Sequence, residues 1–106
     1  ATTTLEAAWP LAERYPSGFG FLLSVAEWRA GSPKEIAITG DPADESFRAL
    51  RAVIGETFLP HRVLVSGNTD LPLMEGRNAD TVMAHVCEGY ACQEPTRDAA
   101  RLRELL

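Results

Sequence analysis

EIAITGDPADESFRALRAVIGETFLPHRVLVS, Glu35 to Ser66, is the stretch whose reading decides the fold. Its first five residues, Glu35-Ile36-Ala37-Ile38-Thr39, are short, β-branched and bounded by Pro33 and Gly40, as a strand requires. A helix start follows. Asp41 is placed to accept the backbone N–H of Asp44 as N-cap, Pro42 suits the first helical position, and Asp44 and Glu45 complement the positive helix end. Phe47, Leu50, Val53 and Ile54, with Phe58 beyond them, recur at helical spacing, while Arg48, Arg51 and Glu56 point outward. Gly55 weakens the last turn, and Leu59-Pro60-His61 ends the helix. Arg62-Val63-Leu64-Val65-Ser66 is then a nearly continuous apolar run, suited to a strand buried on both faces. Strand, helix, strand at this spacing is a βαβ unit, which predicts two parallel strands and a right-handed crossover.

Downstream, Gly67 to Asp80 is rich in turn residues and reads as a long loop. Thr81 to Cys87 reads as a third strand, and Thr96 as the cap of a final helix carrying Ala99, Leu102, Leu105 and Leu106. Upstream, Leu5, Ala8, Trp9 and Ala12 fall on one helical face, interrupted by Pro10, which implies a kink or a helix starting nearer that proline. The YPSG turn, Tyr15 to Gly18, reverses the chain. Phe21, Leu22, Val25 and Trp28 form a second stripe ending at Gly31. Trp9 and Trp28 are expected in the core. The predicted class is α/β in a single domain over 1–106: a helical hairpin over 1–31, then a βαββα unit over 33–106 whose three-stranded, mainly parallel sheet is covered by helices.

With 106 residues and a formal net charge of −5, one domain with a real core is the expectation. An acidic chain lacks the clustered Lys/Arg field that condenses on phosphate backbones or anionic lipid, so neither nucleic acid nor membrane is an expected partner. No apolar run approaches the about 20 residues needed to cross a bilayer, and Ala1 to Leu5 has no signal-peptide character. The expected location is cytoplasmic.

The chemistry-bearing residues are few. Gly40 between strand and helix suggests a phosphate cradle, but Asp41, Asp44 and Glu45 put carboxylates where a phosphate would sit, and no Gly-rich fingerprint or P-loop lysine accompanies it. No cofactor is expected. Both cysteines lie in VCEGYACQEP, Val86 to Pro95. Cys87 and Cys92 are spaced more widely than a CxxC turn, and Glu88 and Glu94 nearby raise thiol pKa values. His85 lies two residues before Cys87 and so shares its strand face. Three readings stand: plain packing as two thiols, a reversible disulfide, or a metal clip of His85, Cys87 and Cys92 with a fourth ligand such as His61. His61 is otherwise a turn histidine, and Asp70, Glu75 and Asp80 are loop carboxylates without a visible partner. No catalytic constellation is found.

The pattern resembles the C-terminal region of the spermatogenesis-associated, thioredoxin-domain-containing protein family. The resemblance runs through PKEIAITGDPADESFRALRAVIGETFLPHRVLVSGN, then LPLMEGR, then VCEGYACQEPTRDAARLRELL, and so covers nearly the whole chain. Its most specific piece is Val86-Cys87 to Cys92 to Pro95 with the short helix behind it. Between Arg77 and Thr81 the family's loop is usually slightly longer. The resemblance implies a larger parent with a thioredoxin-like domain and a six-hairpin toroid akin to sugar 2-epimerases and glycosidases. Residues 1–30 would then be the last toroid helices, and Pro33 to Leu106 an α/β appendage. Neither a redox motif nor a sugar-site residue carries over. The expected role is therefore a noncatalytic structural or interaction domain, joined to the remainder of its parent or self-associating through an apolar helical face. The alternatives are a thiol or metal-clip module, and a wall of a sugar-directed parent enzyme.

Overall fold

The structure, a computed structural model, describes residues 2–67 and 69–106, which divide into two compact units, Ala1–Ser32 and Pro33–Leu106. In the first unit, helix α1 (Thr2–Arg14) runs through Pro10 without ending there. A 3-10 turn, Pro16–Gly18, connects it to α2 (Gly20–Ala30). Ala12 is fully buried in this hairpin, with Leu5, Ala8, Leu22, Leu23 and Ala26 half-buried.

The second unit holds β1 (Lys34–Thr39), α3 (Glu45–Glu56), β2 (Arg62–Ser66), β3 (Met83–Glu88), β4 (Ala91–Cys92) and α4 (Ala99–Leu105). The expected βαβ unit is present: β1 and β2 are parallel, in register from Lys34↔Arg62 to Ile38↔Ser66. The sheet around it differs from the expectation of three mainly parallel strands. It has four strands in the order β2-β1-β3-β4, and only the β1–β2 pairing is parallel.

The reason lies in the loop. A third parallel strand would require the chain to travel back along the sheet, ordinarily through a helix. Residues 67–82 contain Gly67, Pro72 and Gly76; among the described residues of this stretch the 3-10 turn Pro72–Met74 is the one helical element, and the chain is left at the end where β2 stopped. The next strand therefore starts opposite Thr39 and runs antiparallel to β1, from Thr39↔Met83 to Lys34↔Glu88. The fourth strand comes from a tight hairpin. Gly89 and Tyr90 both take positive φ, 56° and 66°, the geometry of a two-residue turn matched to strand twist. That turn sets Glu88 opposite Ala91 and Cys87 opposite Cys92. β2 becomes an edge strand, which exposes Val63 rather than burying both faces.

Pleating gives the sheet two faces. Ile36, Ile38, Ala84 and Val86 meet Phe47, Leu50, Val53 and Ile54 of α3 and Leu102 of α4, forming the main core. Each of the larger of these side chains, Ala84 apart, contributes roughly 1.5–3 kcal/mol of transfer free energy. Phe58 does not join them and is almost fully exposed, because α3 has ended at Glu56. Helix starts also shift from expectation. Asp41 Oδ1 accepts the Ala43 N–H and its carbonyl accepts that of Asp44, so Asp41-Pro42-Ala43-Asp44 is a turn rather than a cap. Asp44 is the N-cap of α3, accepting the Ser46 N–H at 2.8 Å. Likewise Asp98, not Thr96, caps α4, while Thr96 bridges to Ala84 through paired backbone bonds. Lys34 Nζ holds the far end of α4, donating to the carbonyls of Leu105 and Leu106 at 2.9 and 3.1 Å.

Candidate functional site

Opposite the helices, Ala37, Thr39, His85 and Cys87 share the second face of the sheet. The Pro72–Met74 turn packs on β1, and Arg77 just beyond it reaches Cys87. Arg77 donates from Nη1 to the Leu73 carbonyl and from Nη2 to Cys87 Sγ at 3.4 Å, while its buried Nε has no partner among the described residues. The loop carrying LPLMEGR thus sets a guanidinium against the sulfur.

The two cysteines are bonded. Cys87 and Cys92 face each other across β3 and β4 with Cα atoms 3.9 Å apart. The Gln93 N–H to Val86 carbonyl bond makes the neighbouring pair the hydrogen-bonded one, so the cysteines occupy the closer, non-bonded site of the ladder. Two separate packed thiols are therefore not what the fold holds, although Cys87 is buried as that reading expected. Cys92, on the short outer strand, is exposed. The sequence carries a signal for this pairing that spacing alone hides: CEGYAC is symmetrical about Gly89-Tyr90, so a two-residue turn there brings the sulfurs into register. Arg77 was not among the sequence candidates, since nothing in a loop residue ten positions away marks its reach.

His85 shares this face, as its spacing from Cys87 predicts, and pairs with Ala37 on β1. With both sulfurs bonded to each other, neither is free as a thiolate ligand for the metal clip, and among the described residues no three metal-capable side chains converge. His61 lies just before the edge strand β2, with β1 between it and β3, and its carbonyl accepts the Lys34 N–H. Burial, and next the positive charge of Arg77, hold the His85 pKa below the ordinary 6.5. The unfolded chain then binds a proton that the folded chain resists. Stability should fall as pH drops below about 6.5 and level off only below the depressed folded-state value. Urea titrations at a series of pH values will show a shallower decline in this window for His85→Gln than for the parent chain.

The carboxyl ends of β1 and β2, where α/β folds often bind ligands, adjoin a cleft of about 320 Å³ lined by Asp44, Ser46, Asp80, Thr81, Val82 and Arg97. Backbone donors at the start of α3 and in the turn before it are already taken, as the Asp41 and Asp44 side chains accept the Ala43 and Ser46 N–H groups. Gly40 serves a steric need. At φ +98°, it lets the backbone of Val82 approach where a Cβ would lie 2.9 Å from Val82 Cα. Asp70 and Glu75 flank a separate shallow cleft beside Pro72 and Met74, and Asp80 closes its own turn by its N–H bond to Asn78.

A pronounced apolar surface lies in the hairpin unit. Phe21, Val25 and Trp28, spaced i, i+4, i+7, form one continuous stripe along α2 and are 86%, 36% and 41% exposed. The inner face of α2 is instead Leu22, Leu23 and Ala26, so the expected stripe is split, with only Leu22 turned inward. Trp9 is 42% exposed, so neither tryptophan is a core residue. Two short helices bury one narrow seam against each other, and that seam takes up only part of the apolar surface they carry. Between them lies a groove of about 530 Å³ lined by Leu5, Trp9, Pro10, Ala26 and Ala30, with Thr2, Glu6 and Arg29 at its polar edge.

Among the described residues, no helix is long and apolar enough to cross a membrane. No family model and no solved structure matches the chain. Spermatogenesis-associated protein 20 of Rattus norvegicus and its counterpart of Mus musculus are each 30% identical to it over 83 residues. Those matches cover 69% of this chain but 10% of each relative. The chain thus spans about a tenth of the length of the curated relatives it matches, and its likeness is to one segment of spermatogenesis-associated protein 20.

Proposed function

We propose that this chain is a noncatalytic interaction domain of a larger protein related to spermatogenesis-associated protein 20, with the hairpin as its docking element. The observation that carries this reading is the exposed Phe21–Val25–Trp28 stripe. A helix apolar on more than one face belongs inside a larger body, because exposed apolar stripes of this kind are rare on independent monomers. The relatives' length supplies a body of that kind, since nine-tenths of each lies outside the matched segment. On this reading the α/β unit is the appendage and the hairpin is its seam with the parent. In isolation the same stripe seeks a second copy. Phe21→Ser with Val25→Ser should therefore weaken self-association at least tenfold without changing the helical signal. Sedimentation velocity and far-UV circular dichroism check both halves; unchanged association in the double variant would remove the stripe as the docking element.

A further inference from the structure

The geometry points to a second activity, independent of docking: Cys87 and Cys92 form a thiol–disulfide exchange couple in which Cys92 takes the attack and Cys87 leaves as a thiolate held by Arg77. The two sulfurs are unequal. Cys87 is 3% exposed and faces Arg77 Nη2 at 3.4 Å, whereas Cys92 is exposed on a strand of two residues. In the oxidised form Arg77 has poor company, a disulfide sulfur being a weak acceptor and its buried Nε being unpartnered among the described residues. A thiolate at the same place would be a charged acceptor for a half-buried cation, and an adjacent Arg lowers thiol pKa and eases departure.

The substrate class is a dithiol. Its thiolate attacks Cys92 Sγ, an intermolecular S–S bond forms, the Cys87–Cys92 bond breaks, and the electron pair leaves on Cys87 Sγ. The second dithiol sulfur, losing its proton to solvent, then attacks its own partner sulfur in the mixed disulfide. Cys92 departs and takes up a proton. Two electrons have passed from the dithiol, which becomes a disulfide, to the protein pair. In a reducing compartment, where resting disulfides are rare, such a pair works as a couple rather than as a permanent staple.

Equilibration with reduced and oxidised dithiothreitol, read by alkylation and mass spectrometry, tests the assignment. Arg77→Met should move the equilibrium toward the protein disulfide about tenfold, which is about 30 mV for two electrons. Arg77→Lys should move it less, and Arg101→Met, whose guanidinium meets only the exposed Glu104 among the described ion pairs, should not move it. A structural role alone would leave thiol ionisation untouched, so the alkylation profile of reduced Cys87 must also break at lower pH in the parent chain than in Arg77→Met. Brief treatment of the oxidised chain with glutathione should place the adduct on Cys92. An equilibrium within twofold of the parent in a folded Arg77→Met, or an adduct on Cys87, overturns the proposal. If Arg77→Met fails to fold, the parent chain decides: reduced Cys87 must ionise at lower pH than Cys92, and equal or reversed order overturns it.

Discussion

Leu102→Ala should lower the stability of the α/β unit by about 4 kcal/mol, near the upper end of leucine truncations in cores. Leu102 is fully buried among Ile36, Ile38, Phe47, Leu50 and Val86, so the lost methyl groups leave a cavity with rigid walls. A second effect adds to it. Helix α4 has seven residues, too few to persist without tertiary packing, and Leu102 is its only fully buried side chain. Its remaining attachments are half-buried Ala99, Leu105 and Leu106, the two Lys34 bonds, and the exposed Arg103–Glu56 pair, which contributes little. Losing Leu102 therefore loosens the whole helix and wets the sheet face beneath. Urea unfolding and hydrogen exchange at the α4 amides will show both effects. A loss below about 1 kcal/mol would mean that α4 is not part of the core.

Gly40→Ala should cost about 3 kcal/mol, for a reason unrelated to apolar burial. At φ +98° an L side chain is strained, and the added Cβ would sit 2.6 Å from Val82 Cγ2 and 2.9 Å from Val82 Cα. The methyl can rotate aside. The Cα cannot, because Val82 leads directly into β3, whose register with β1 begins at Met83↔Thr39. The strand pairing must give way locally. Gly55→Ala is the matched contrast: its Cβ would meet nothing within 4 Å in an exposed helical turn, so the same change there should stabilise by about 0.5–1 kcal/mol. Equal effects at the two glycines would refute the steric account of the Gly40–Val82 crossing.

What the sequence made legible is what local periodicity encodes. The βαβ unit, the α3 stripe of Phe47, Leu50, Val53 and Ile54, and the inward face of α4 follow from spacing and breakers within about a dozen residues. Strand direction beyond β2 is not encoded that way. It depends on where a patternless loop leaves the chain, and residues 67–82 give only turn signals. The helix caps slipped because Asp41 and Asp44 are equally good candidates, and Pro42 favours the turn between them as readily as a first helical position. Trp9 and Trp28 mislead for a different reason. Helical spacing marks an apolar face without saying which body covers it, and the hairpin alone cannot cover both tryptophans. The sulfur pairing was legible only through the Gly89-Tyr90 turn, and Arg77 through nothing short of the folded loop.

Sedimentation equilibrium of the parent chain, from low micromolar to millimolar concentration, tests the docking claim most directly. The account predicts a molar mass that rises with concentration above the monomer value, as uncovered Phe21, Val25 and Trp28 find a second copy. A single monomer mass across that whole range would contradict it.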